Sequence, residues 1–164
     1  MVDLQTISIV VASASVVAGI TYYAFQMRHQ TKARQTDLIL RLASFYNSRE
    51  FHEALTRVLG IEYADYKEFE QKYGSLFSPA PNDLLISLQM VGSFFENLGV
   101  LVSEKLLDLD LVAKLFTADV YWKKTELLVK ELRKQSGNPA YYEWFEFLYN
   151  ELQKREKKAL RKAN

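Results

Sequence analysis

The chain has 164 residues, 49% of them hydrophobic and 25% charged, with a formal net charge of +1. That is room for one domain and a membrane anchor, and the hydrophobic and charged fractions are ordinary globular values. Cysteine is absent, which excludes disulfides, thiolate metal sites and a cysteine nucleophile and suits a cytoplasmic domain.

Residues 4 to 27, LQTISIVVASASVVAGITYYAFQM, carry no charge. A helix of that length runs about 36 Å, against a hydrocarbon core about 30 Å thick. Residues 1–27 are therefore expected to form a single transmembrane anchor. Its serines can return a hydrogen bond to the preceding turn, which makes them compatible with lipid. Tyr22, Tyr23 and Phe25 stand where an aromatic interface belt belongs. Arg28, Lys32 and Arg34 follow as a lipid-facing collar, while only Asp3 precedes the run. The positive-inside rule then predicts a single-pass protein of the cell membrane, with its N-terminus outside and a helical domain in the cytoplasm. A cleaved signal peptide competes, because Ala12-Ser13-Ala14 resembles a cleavage site. The acidic start, the short apolar run before that site and its continuation to Phe25 argue against it. A buried helix of a soluble protein is disfavoured by the uncharged length. Ser15 and Gly19 have small-xxx-small spacing, and their face is expected to pair two copies of the anchor.

Residues 28–46 continue as a juxtamembrane helix without Gly or Pro, with Leu38, Leu42 and Phe45 on one face. A cytoplasmic helical domain is expected over 47–153 and a basic tail over 154–164. Ser48 is the expected N-cap of a helix ending at Gly60, with Phe51, Leu55 and Val58 buried. A short helix from about Ala64 to Tyr73 ends at Gly74. Residues 75–82 hold two of the three prolines and form the main loop. The strongest soluble helix starts at Asn82-Asp83 and carries Leu84, Leu88, Val91, Phe95, Leu98 and Val102 at 4-3-4-3-4 spacing. Leu107–Phe116 reads as a short helix. Thr117 is expected to cap the next, Ala118–Gln135, which ends at Gly137. Asn138-Pro139 reads as an N-cap followed by proline in the first turn of a last helix, which is expected to fray beyond Lys154. That helix holds six aromatics between 141 and 149, read as core plus packing against the preceding helix. No alternating strand and no repeat stands out. The predicted fold is all-α: a transmembrane helix continuing into a compact irregular bundle.

No nucleophile elbow, P-loop or dinucleotide fingerprint occurs. His29 and His52 are the two histidines, and neither has a second ligand at zinc spacing. Between Arg49 and Asp110 stand five basic and eleven acidic residues, a balance that repels nucleic acid. Gly92 and Gly99 lie inside an apolar helix and mark close helix packing. Glu96 lies between them on the same face. It is expected to be half-buried and paired, with Trp122, Tyr121 or Lys123 as partner. The competing role is a general base with a raised pKa, for which no second acid, metal ligand or nucleophile is in view. No cofactor is expected.

The stretch FFENLGVLVSEKLLDLDLVAKLF, followed by VYWKK, resembles a family of small uncharacterised bacterial and archaeal proteins that share a domain of unknown function. The matching positions are Phe94, Phe95, Glu96, Gly99, Leu101, Val102, Leu109, Asp110, Tyr121 and Trp122, with Tyr142, Phe145 and Leu148 farther on. The resemblance implies one N-terminal membrane helix, a small helical domain and a shared Glu96–Trp122 neighbourhood. It implies no activity. The function expected is a membrane-anchored interaction or scaffold module, touching membrane lipid, pairing through its anchor and presenting a surface to a protein partner. The alternatives are a lipid-sensing or accessory subunit of a membrane complex, and a membrane-bound enzyme using Glu96.

Overall fold

A computed structural model of the chain describes residues 3–163; the side chains at 4–7, 9, 10, 162 and 163 lie outside what it describes. Among the described residues there are seven α-helices and no strand: α1 Leu4–Tyr46, α2 Arg49–Leu59, α3 Tyr66–Tyr73, α4 Asp83–Ser103, α5 Leu109–Leu115, α6 Ala118–Ser136 and α7 Glu143–Ala163. The chain divides into two compact units, residues 1–41 and 42–164.

In the first unit the described residues from Leu4 onward are helical and form the greater part of α1. From Val11 to Phe25 its apolar side chains have no cover: Val11, Val16, Val17, Ile20, Tyr22, Tyr23 and Phe25 are each between 58% and 70% exposed. Ser15 and Thr21 donate their hydroxyls back to the carbonyls of Val11 and Val17, each at 2.8 Å. The start of the expected anchor, at positions 4–7, 9 and 10, lies outside the described side chains.

The second unit is built around α4. Its buried residues are Leu85, Ser87, Val91, Gly92, Phe94, Phe95, Leu98 and Gly99, and α2 and α7 pack against it. Among the described residues α4 is the helix long and apolar enough to cross a membrane, yet 44% of its apolar window is buried inside the protein. That burial is the pattern of a core helix. Phe95 stacks between Tyr121, at a centroid distance of 5.5 Å, and Phe145, at 4.9 Å. Beside it in the middle of α4, Phe94 meets Phe51 at 4.8 Å and Phe116 at 5.6 Å, and both Phe45 and Tyr46 join them. The last turn of α1 therefore belongs to this core. Toward the start of α4, Ile61, Phe69, Leu85 and Leu128 form a second cluster.

Caps set most of the helix starts. Ser48, Asp65, Asn82 and Asp108 each accept a hydrogen bond from the N–H three residues on, covering donors that have no partner inside the helix. Asn82 also donates from Nδ2 to the Tyr73 carbonyl at 2.7 Å, tying the end of α3 to the start of α4.

Three local expectations are corrected. Thr117 stands at the N-cap of α6 but makes no capping bond; its hydroxyl pairs with Tyr46 Oη at 2.9 Å, because the aromatic cluster brings that ring within reach. Asn138-Pro139 does not start α7. Asn138 Oδ1 accepts from the N–H of Ala140, two residues on, which is a turn rather than a cap, and the helix begins only at Glu143. Beyond Lys154 the helix does not fray but runs to Ala163.

Candidate functional site: a glutamate between two glycines

Gly92, Glu96 and Gly99 share one face of α4, and the start of α7 lies against it. A methyl group placed on Gly99 would come within 2.0 Å of the Trp144 carbonyl oxygen and 2.5 Å of its carbon. The two helices thus touch backbone to backbone, which any side chain at 99 would prevent. At Gly92 the same methyl would lie 2.8 Å from the Tyr142 ring.

Tyr142 adopts φ +53°, the left-handed region that costs a non-glycine residue about 1–2 kcal/mol. Gly137, at φ +66°, closes α6 in the left-handed C-cap manner. Together they reverse the chain between α6 and α7 and press the Tyr142 ring onto the bare backbone of Gly92. Burial raises the Tyr142 pKa, and the neighbouring Ser93 hydroxyl works in the opposite direction.

A residue with left-handed backbone, carrying a ring turned into the core, does not cap the helix that follows it. The cap comes from across the interface. Glu96 Oε2 accepts the Phe145 N–H at 2.8 Å, and the nearby Trp144 N–H also favours the charged carboxylate. The Glu143 N–H goes to the Ala140 carbonyl and the Glu146 N–H to Tyr142, so with Phe145 three of the first four donors of α7 have an acceptor. Burial is the largest influence on Glu96 and raises its pKa; the Phe145 and Trp144 N–H groups pull it down, Glu143 raises it and Arg133 lowers it, and the net direction is upward. Arg133 of α6 holds the same corner. Its Nε donates to the Tyr141 carbonyl at 2.8 Å and its Nη1 to Glu146 Oε2 at 2.7 Å.

The expected partner of Glu96 is therefore corrected. Its acceptor oxygen serves α7 rather than the Trp122 indole, because the helix start presents donors that nothing else covers. Trp122 is 3% exposed and lies edge-on to the Phe145 ring at 5.0 Å and stacked on Tyr149 at 6.0 Å. Glu96 and Trp122 meet the same residue, one at its N–H and the other at its ring. Lys123 lies 3.7 Å from Asp119. Tyr142 and Arg133 are the functional side chains that periodicity missed. The signal available for them was the Gly137–Tyr142 turn, whose residues favour chain reversal over helix.

The other candidate residues are spread along the first unit. Arg28, Lys32 and Arg34 are exposed. Ser15 is exposed, and a methyl on Gly19 would meet nothing within 4 Å. Among the described residues no cluster of three or more His, Cys, Asp or Glu side chains is placed to hold a metal ion.

Neither the solved structures nor the curated proteins include a match to the chain. One family model matches, described as a domain of unknown function (DUF4760), and it spans residues 8–152. The match takes in α4, the Glu96 contact and the start of α7, and by it the chain belongs to the DUF4760 family.

Proposed function

We propose that the protein is a membrane-anchored helical module that holds its second unit at the cytoplasmic face of the cell membrane and presents it to a protein partner. The observation that carries this reading is the uncharged run from Leu4 to Met27. Its described apolar side chains are exposed on one unbroken helix. In water such a surface is costly, at about 25 cal/mol per Å² of apolar area; in lipid it is not. The Ser15 and Thr21 hydroxyls, returned to the backbone, suit that solvent. Arg28, Lys32 and Arg34 immediately beyond the run support an orientation with the second unit inside.

Alkaline carbonate extraction of membranes, with protease added to intact and opened cells, tests the reading. The expected result is a chain that stays in the pellet and is cut after Met27 only once cells are opened. Release into the supernatant would overturn the anchor, and cleavage in intact cells would overturn the orientation. The enzyme alternative has less behind it. Glu96 is committed to helix donors, the geometry of a positioning group rather than a base facing substrate.

A further inference from the structure

A cavity of about 250 Å³ opens into the second unit between the 75–82 loop, α4, α6 and the 138–142 turn. Its floor is formed by buried Leu85, Val91, Leu128, Val129 and Phe145, with Thr125 among them. Its mouth carries Pro81, Gln89, Leu132 and Tyr141. No charged side chain lines it.

Two of the polar groups inside, Thr125 and Ser78, are already engaged. Thr125 donates its hydroxyl to the Tyr121 carbonyl at 2.9 Å. Ser78 donates to the Ala80 carbonyl and accepts from the Ala80 N–H. Apart from the Tyr142 hydroxyl on the wall beside Gly92, the floor offers no free donor and no cation, and a carboxylate or phosphate entering it would lose most of its hydration with little in return. Gln89 is exposed at the mouth, with an amide that can both donate and accept. The lining thus sorts a ligand end to end, hydrocarbon on the floor and a hydrogen-bonding group at the rim. A cavity of 150 Å³ lined by aliphatic and aromatic side chains holds benzene, so this one has space for about ten carbon atoms.

We propose that this cavity binds one alkyl chain of about ten carbons, hydrocarbon end first, with its polar head beside Gln89. The wall at the mouth is the Tyr141–Tyr142 turn. Its geometry is fixed by the contact of Tyr142 with Gly92 and by Arg133 on the Tyr141 carbonyl, so the site is preformed. The chain has two sources, a membrane lipid or a free amphiphile, and the chemistry of the floor is the same for both.

The test uses the full chain with ¹³C-labelled Leu and Val methyls. In amphipol, free of detergent, 1-decanol is titrated in. The expected result is saturable shifts at the Leu85, Leu128 and Val129 methyls, with those of Leu59 and Leu160 unmoved. Val129→Phe, which fills the floor, is expected to weaken binding at least tenfold. Leu132→Phe, at the half-buried mouth, gives a second blocked variant should Val129→Phe fail to fold. In lipid nanodiscs carrying a chain-end nitroxide lipid, broadening of the Leu128 and Val129 methyls that decanol reverses assigns the site to a lipid chain. Saturable decanol shifts without that broadening assign it to a free amphiphile. Shifts that do not saturate, or that persist unchanged in both blocked variants, overturn the proposal. Failure to enter nanodiscs counts against the anchor alone, because the amphipol arm does not depend on it.

Discussion

Glu96→Ala removes the acceptor of the Phe145 N–H, leaving a helix donor uncovered at a half-buried interface. Loss of a capping acceptor costs about 1–2 kcal/mol, and urea denaturation at pH 7 is expected to show that loss. Glu96→Gln keeps an acceptor oxygen and is expected to lose less than half as much. The two variants separate capping from charge, and pH separates them further. The Glu96 pKa is raised in the folded protein, chiefly by burial. Such a carboxyl favours folding most below its unfolded value, and the advantage is lost as pH rises through the folded value. The stability of the wild type relative to Glu96→Gln is therefore expected to fall from acid pH toward neutrality and then level off. A rise over that range would show that the N–H donors outweigh burial. The glycines beside it differ in what they meet. Gly99→Ala drives a methyl into the Trp144 backbone and is expected to cost about 3 kcal/mol or more, whereas Gly92→Ala meets a ring that can shift and is expected to cost about 1–2 kcal/mol. Equal costs would mean that α7 is free to move away from α4.

Helix by helix, what the sequence showed tracks how local the cause was. The starts of α2 and α4 were legible because Ser48 and Asn82 act on N–H groups three residues away. The stripe of α4 was legible because its 3.6-residue period is written in consecutive turns. The start of α7 was not. Asn138-Pro139 carries a strong local signal, and it is overridden by a left-handed tyrosine and by a cap supplied from a residue 49 positions earlier. Glu96 stood out for its place between two glycines, but its partner depended on which helix crosses there, which no periodicity encodes. Thr117 failed as a cap for the same reason, since Tyr46 lies 71 residues before it. Asn82 is the converse, a local cap with a tertiary duty. Asn82→Asp keeps the bond to Leu85 N–H but loses the donor to the Tyr73 carbonyl. It is expected to cost about 1 kcal/mol, and Asn82→Ala, which loses both, about 2 kcal/mol. Thermal melts of the two variants check the order.

For the whole molecule, the division at residues 41 and 42 matters more than any single contact. The core helix α4 satisfies its apolar face inside the second unit, while the apolar residues from Val11 to Phe25 are left to whatever surrounds them. The stability of the second unit and the proposed pairing of the anchor would then belong to different residues, and distant sites with no shared partner act additively. Gly19 is the position that separates them. A side chain there meets nothing within the protein, so Gly19→Leu is expected to leave the melting of the second unit unchanged. Across a paired membrane helix the same leucine would hold two backbones apart, since small residues at four-residue spacing are what allow close approach in lipid. Crosslinking in native membranes is therefore expected to show less dimer for Gly19→Leu than for the wild type, with Val17→Leu as the volume-increasing control. Undiminished dimer in Gly19→Leu would remove the Ser15–Gly19 face as the pairing surface and leave the anchor as a tether alone.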